Sequence, residues 1–179
     1  GFWCVAFVFG SFAAATVAGI GLENNTRYQE CQSDVTACRD LSLGDLDLQG
    51  TIPTDIGLLT ALTSLDLSKN NHTGRIPTEM GALTGLQTLI LFYNDLIGNI
   101  PSELGELTAM LDLQLLGNSF TGSIPTELFR MTDVRKMWLY DNQLSGTIPT
   151  EVGLLTAVSQ FWLNFNDISG SLPTEIVNM

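Results

Sequence analysis

"LTSLDLSKNNHTGRIPTEMGALTGL", residues 62–86, contains one full period of a pattern that recurs through most of the chain. Its proline is one of six, and each proline follows the previous one by 24 residues. The six are Pro53, Pro77, Pro101, Pro125, Pro149 and Pro173. A fixed period of this length indicates a repeat architecture in which each unit stacks on the next.

When the repeats are aligned, the same positions are apolar in every copy. Two apolar columns lie two residues apart, which is the spacing of side chains on one face of a β-strand. They are Leu41, Leu65, Leu89, Leu113, Met137 and Phe161, then Leu43, Leu67, Leu91, Leu115, Leu139 and Leu163. Ordering a coil costs about 1 to 2 kcal/mol per residue, more than its few buried side chains return, so neighbouring coils must stack. The pattern predicts a solenoid with a strand in each coil.

Two further columns hold asparagine and glycine where the chain leaves the predicted strand. We expect the carboxamides to bond backbone groups of their own coil and the next coil, because a carboxamide both donates and accepts. We expect the glycines to supply backbone angles that a side chain would forbid. The columns are Asn70, Asn94, Asn118, Asn142 and Asn166, and Gly50, Gly74, Gly98, Gly122, Gly146 and Gly170.

Residues 62–86 resemble the plant-type leucine-rich repeat, L-x-x-L-x-L-x-x-N-x-L-x-G-x-I-P-x-x-L-G-x-L-x-x, and the match extends over residues 38–179. The resemblance implies an α/β repeat solenoid with a parallel sheet on its concave face and short helical turns and loops on its convex face. Similar arrays form receptor-like kinase and receptor-like protein ectodomains, polygalacturonase-inhibiting proteins and algal surface proteins. The function implied is recognition of a protein, peptide or glycan on the concave face, with inhibition of a secreted hydrolase as an alternative.

The amino-terminal stretch from Phe2 to Leu22 has no charged residue and, as a helix, would span about 31 Å. We therefore predict an apolar helix before the array and divide the chain into three parts. Residues 1–22 form a transmembrane anchor or signal segment, residues 23–37 a linker and amino-terminal cap, and residues 38–179 a repeat array that is incomplete at its carboxyl end. Membrane contact would run through residues 2–22. The anchor and signal readings both export the array, as part of a membrane protein or as a secreted one, and the remaining reading is an apolar buried helix.

The charge of the chain disfavours nucleic acid as a partner. Nineteen acidic and seven basic residues give a formal charge of −12, which repels phosphate backbones. The sequence also holds no catalytic triad, metal-ligand cluster or phosphate loop, so we predict neither an enzyme nor a cofactor.

Cys31 and Cys38 enclose six residues, a spacing similar to that in the plant-type amino-terminal cap. The resemblance implies a disulfide between them. A zinc site is the alternative, although it lacks histidine ligands nearby. The sequons at Asn24 and Asn71 predict glycan acceptors if the chain enters a secretory pathway.

His72, the only histidine of the chain, falls in the inward column of Leu48, Leu96, Phe120, Leu144 and Ile168. It is interpreted as a core filler, because a catalytic or metal-binding histidine would need companions.

The candidate ligand-binding surface follows from the strand register, since residues between the inward leucines point outward. Trp138 and Trp162 fall in one outward column, so we expect their indoles to lie side by side. Arg135 and Lys136 lie beside this pair, where they could meet an acidic group on a partner or relieve local negative charge. The predicted contact residues are Ile90, Phe92, Tyr93, Leu116, Arg135, Lys136, Trp138, Tyr140, Trp162 and Phe165.

Three polar ladders carry alternative readings. The carboxylates at Asp55, Glu79, Glu103, Glu127, Glu151 and Glu175 could hold cations, but their place after Pro and Thr or Ser favours the first turn of a short helix. Threonine ladders, one of them beside the prolines, are found in some ice-binding solenoids. Here we expect their hydroxyls to bond turning backbone.

Overall fold

The computed structural model describes residues 20–179, which fold into two six-stranded parallel sheets. Each coil contributes one strand to each sheet. The first sheet contains β1 (Asp40–Ser42), β3 (Ser64–Asp66), β5 (Thr88–Ile90), β7 (Asp112–Gln114), β9 (Lys136–Trp138) and β11 (Gln160–Trp162). The second contains β2 (Gln49–Thr51), β4 (Asn71–Gly74), β6 (Asp95–Asn99), β8 (Ser119–Gly122), β10 (Gln143–Gly146) and β12 (Asp167–Ile168).

The pairing of the first sheet confirms the 24-residue register. Leu41 pairs with Leu65 and Leu65 pairs with Leu89, so equivalent residues of consecutive coils lie side by side. The second sheet is offset: Asn71 pairs with Gln49, and Asp95 pairs with Thr73. Its partners are therefore 22 residues apart, so its outward columns run obliquely across the coils.

The remaining elements are short helices. One α-helix, α1 (Thr26–Ser33), precedes the coils, and its amino terminus is capped by the Asn25 side chain. The 3-10 helices that follow the prolines each carry one ladder carboxylate in their first turn, which confirms the structural reading of that ladder. The 3-10 helices are Leu22–Asn24, Thr54–Leu58, Thr78–Ala82, Ser102–Glu106, Thr126–Arg130, Thr150–Leu154 and Thr174–Asn178.

The asparagine column holds neighbouring coils together, as Asn94 illustrates. Its Oδ1 accepts from the backbone N–H of His72 at 3.0 Å, and its Nδ2 donates to the carbonyls of Leu67 at 3.0 Å and Leu91 at 3.1 Å. Leu91 belongs to the same coil and Leu67 to the preceding one. The expectation of bonds to the next coil is therefore wrong. The side chain points toward the preceding coil and bonds the backbone there.

The amino-terminal cap packs against the first coil of the array. The Cys31–Cys38 disulfide is present, as the resemblance implied. Leu22, assigned to the anchor or signal segment, is instead fully buried in the core, and the Ile20 carbonyl accepts from Gln49 N at 3.0 Å. Apolar character alone does not separate a membrane residue from a core residue, and the division of the chain at residue 22 stays a prediction.

The predicted apolar helix falls almost entirely on residues 1–19, outside the described part of the chain. The helix seen near the start, α1, is polar and buries only Tyr28 and Cys31. Within residues 20–179, no helix combines the length and apolarity needed to cross a bilayer.

His72 occupies the inward slot expected for it and is fully buried. Its Nδ1 lies 3.3 Å from the Gly50 carbonyl, while its Nε2 has no hydrogen-bond partner in the described structure. Burial lowers the pKa of His72 below its ordinary value of 6.5, against smaller opposing effects of the Gly50 bond and Glu23.

This histidine should make the array sensitive to mild acid. Because the folded pKa is lowered, the unfolded chain binds a proton first as the pH falls, and stability declines between about 6.5 and the lower folded pKa. Urea unfolding from about pH 8 to about pH 5 should show this decline. His72→Leu, which matches Leu48 and Leu96, should flatten it, and an unchanged decline in the variant would assign the sensitivity to other groups.

Candidate ligand-binding surface

The outward face of the first sheet carries a stacked pair of indoles. Trp138 and Trp162 lie with ring centroids 4.7 Å apart and planes inclined by 4°. Trp162 is 44% exposed and Trp138 is half-buried. The predicted adjacency is confirmed, and the stack means that Trp138 supports Trp162 from below while Trp162 offers the more open surface.

Polar neighbours fix the orientation of Trp138. Its Nε1 donates to Gln160 Oε1 at 3.1 Å. Lys136 Nζ lies 5.6 Å from the indole centroid and pairs with Asp112 Oδ2 at 3.1 Å. A hydrogen bond in the ring plane and a cation over the ring restrict the indole in two directions, so its orientation is fixed before any ligand arrives.

A second aromatic group, Phe92 and Tyr93, joins this pair across the intervening coil. The rings of Phe92 and Tyr93 meet edge to face with centroids 5.4 Å apart. Tyr93 lies over Gly117, where there is no room for a side chain, since a Cβ would fall 2.6 Å from Tyr93 Cε1. Glycine at this position lets Tyr93 extend toward the coil that contains Tyr140.

Tyr140 connects the two groups. Its ring centroid lies 5.8 Å from that of Trp162. Burial raises the pKa of Tyr140 above its ordinary value, and the nearby Tyr93 hydroxyl and Asp141 carboxylate raise it further. We call the resulting surface the aromatic strip, defined as Phe92, Tyr93, Trp138, Tyr140 and Trp162; it extends across four coils.

Gly117 should therefore be required for the continuity of the aromatic strip. Gly117→Ala would add a methyl group against the Tyr93 ring at a φ of 64°. We expect it to lower the free energy of unfolding by about 2 to 3 kcal/mol, from left-handed strain and displacement of the ring. Urea unfolding would measure the loss.

Gly50→Ala is the matched control for this change. Gly50 has a φ of 80°, but a Cβ there would meet nothing within 4 Å. The loss in the free energy of unfolding of Gly50→Ala therefore measures backbone strain alone, and we expect it to be about 1 to 2 kcal/mol. Equal losses in the two variants would mean that Tyr93 does not depend on Gly117 for its position.

The other predicted contact residues do not all face solvent. Phe165 is 76% exposed, Arg135 is exposed, and Ile90 is half-buried. Leu116 is only 3% exposed, which corrects its prediction as a surface contact. It stands in one column between the larger side chains of Phe92 and Tyr140, so it forms the floor of the aromatic strip.

The sequence reasoning missed Gly117, Gln160 and Asp112 as parts of this surface. Gly117 carried a signal, because it is the smallest member of a column otherwise formed by Asp45, Lys69, Tyr93, Asp141 and Phe165. Gln160 and Asp112 carried none, since polar residues at the start of a strand are unremarkable. Lys136 pairs within the chain, so the reading that it relieves local negative charge fits better than contact with a partner's acid.

The remaining predicted sites lie away from the aromatic strip. Asn24 and Asn71 are both exposed, and Asn71 begins β4 of the second sheet. Among residues 20–179, no group of His, Cys, Asp or Glu side chains is arranged to hold a metal ion. The hydroxyls beside the prolines, among them Thr78 and Thr126, donate to the carboxylate of the next residue. The expected bonds to backbone are thus not formed there, because the acid lies closer.

Comparison with known proteins defines the class of this array. The Leucine Rich Repeat family model matches residues 61–83 and 85–107. A chain of the BIR3–SERK2 complex from Arabidopsis thaliana is 36% identical, with a TM-score of 0.66 over 74% of this chain and 70% of that chain. The chain therefore belongs to the leucine-rich repeat family, and its coils are of the plant type.

Two other solved structures bear on function. The plant peptide hormone receptor RGFR1 in complex with RGF2 is 34% identical, with a TM-score of 0.78 over 80% of this chain. A plant ice-binding protein is 30% identical, with a TM-score of 0.71 over 76% of this chain and 45% of that chain. The chain spans 17% to 23% of the receptor ectodomains of this kind. No curated protein sequence matches it.

Proposed function

We propose that this array is the ligand-recognition part of an extracytoplasmic, membrane-tethered receptor-like protein, and that it binds a protein or peptide through the aromatic strip. The proposal is based on the exposed aromatic side chains of the aromatic strip. Exposed, preorganised aromatic side chains contribute large contact area at little cost in side-chain entropy. The similarity to a plant peptide hormone receptor supports a peptide or protein ligand over a glycan.

The cap supports the extracytoplasmic part of this proposal. Its disulfide, Cys31–Cys38, suits an oxidising compartment. The membrane tether rests on the apolar composition of residues 2–19 together with the folded cap that begins at Ile20.

A paired capture experiment tests the proposal. Extracellular proteins and peptides of the source organism would be passed over immobilised chain and over the Trp138→Ala, Trp162→Ala double variant. A ligand retained by the chain and lost from the variant supports binding at the aromatic strip. Retention by both would refute this surface. Should the ligand be a secreted hydrolase whose activity falls on binding, the array acts as an inhibitor instead of a receptor module.

Ice binding is a second candidate, because one similar structure is a plant ice-binding protein. The second sheet presents hydroxyl side chains outward, including the exposed Thr73 and Ser145. Its oblique register and the charged Asp95 and Asp167 interrupt the regular spacing that a lattice would match. Thermal hysteresis measured on the purified chain decides the matter: we expect none, and a clear effect would favour this candidate.

A further inference from the structure

We propose that the ligand of the aromatic strip is a basic peptide segment whose Lys or Arg side chains face the strand-end edge of the first sheet. This inference rests on the proposed function and adds the charge and orientation of the partner. It follows from an uneven distribution of charge on the two sides of the aromatic strip.

The turns that lead from the strand ends of the first sheet to the strand starts of the second sheet are acidic. Five exposed aspartates lie there, and none forms an ion pair with another described residue. In the two repeat columns that contain Asp45 and Asp47, Lys69 is the single basic residue. We call these aspartates the acidic edge, which consists of Asp45, Asp47, Asp95, Asp141 and Asp167.

The acidic edge is continuous with the aromatic strip. Asp141 shares a column with Tyr93 and Phe165, and its carboxylate contributes to the raised pKa of Tyr140. A side chain that lies on the rings therefore reaches unpaired carboxylates within the same surface. Aromatic faces and carboxylates both attract cations, and the two effects act together on Lys or Arg.

The opposite, strand-start side is close to neutral, with Arg39, Arg135 and Lys136 against Asp40 and Asp112. Arg39 and Arg135 are exposed there and form no ion pair with described residues, while Lys136 is neutralised by Asp112. A basic segment is thus attracted more strongly to the strand-end side than to the strand-start side, which favours one orientation. Lys136 over Trp138 shows within this chain that the indole pair accepts a cation on its face. The overall charge of −12 would also speed the approach of a basic partner.

Three peptide libraries of equal length provide the test, identical except that fixed positions hold Lys, Glu or Gln. We expect the full chain to retain the Lys library most strongly, in a manner that requires Trp162 and weakens as salt is added. Asp95→Asn with Asp141→Asn should weaken that binding roughly three- to tenfold at low salt. Glu79→Gln with Glu151→Gln removes the same charge from exposed positions beside the prolines and should change it by less than about twofold.

The outcomes separate this inference from the proposed function. Retention of the Gln or Glu library equal to that of the Lys library, but still dependent on Trp162, would overturn the inference and leave the aromatic strip as the binding surface. Retention of the Lys library that is indifferent to Trp162 would show non-specific attraction and overturn it as well. Absence of binding by all three libraries would also count against it, while the paired capture experiment would still test the strip.

Discussion

Replacing both Trp138 and Trp162 by alanine is expected to weaken ligand binding by about 30-fold or more. A central aromatic contact contributes about 2 kcal/mol or more to binding, and each 1.4 kcal/mol corresponds to about tenfold in affinity. The two indoles are stacked at 4.7 Å, so removal of either one also disturbs the other. The dissociation constants of the chain and the variant would be compared by calorimetry with the captured ligand.

Folding should survive this change, which makes the result interpretable. Both side chains are at least partly exposed, and surface truncations of this kind usually alter the free energy of unfolding by about 1 kcal/mol or less. Leu154→Ala is a suitable control, because Leu154 is 51% exposed beside Gly153, at the end of a 3-10 helix away from the first sheet. It should leave affinity unchanged. Similar affinities for the chain and the double tryptophan variant would show that the ligand binds elsewhere.

Asn94→Ala is expected to have the largest effect on stability, lowering the free energy of unfolding by about 2 to 5 kcal/mol. The substitution leaves the His72 N–H and the Leu67 and Leu91 carbonyls without the partner described above. A buried polar group left unsatisfied costs about 1 to 3 kcal/mol, and water has little access because Asn94 is only 8% exposed. Urea unfolding would measure the change.

Asn166→Ala provides the comparison within the same column. Asn166 makes equivalent bonds to Leu144 N, Leu139 O and Leu163 O, but it is less buried. Water can replace part of the lost carboxamide there, so we expect a loss of about 1 to 2 kcal/mol. If the loss for Asn94→Ala is no greater than that for Asn166→Ala, the stabilising effect of these asparagines does not depend on how deeply they are buried.

The fold could be predicted from the sequence because every coil repeats the same physical problem. Leu65 and Leu89 fall at equivalent positions, and their pairing in the first sheet confirms the 24-residue register. The inward place of His72 also followed from its column. The second sheet was missed because each of its strands has one central inward side chain, too few to display an alternating pattern.

The detail of the surface was harder to predict than the fold. Column position shows that Trp138 and Trp162 point outward, but it does not show how far a neighbouring ring extends. Leu116 was placed correctly on the outward face, yet larger neighbours cover it. The link between Tyr93 and Tyr140 depends on Gly117 in the coil between them, a relation that no single column contains. Side-chain reach, which a repeat pattern does not encode, decides these cases.

The function was less predictable again, because one repeat scaffold serves many partners. The family follows from the coils, whereas the partner depends on side chains that differ between them. The aromatic strip and the acidic edge both arise at variable positions of the repeat.

Oxidative footprinting of the chain with and without its captured ligand tests directly whether the ligand binds at the aromatic strip. Labelling of Trp162 and Tyr93, which are 44% and 51% exposed, would be compared with labelling of Leu58, which is 63% exposed in a 3-10 helix. Ligand binding at the aromatic strip should protect the two aromatic residues and leave Leu58 unchanged. Protection of Leu58 with full labelling of the aromatic residues would contradict binding at the aromatic strip.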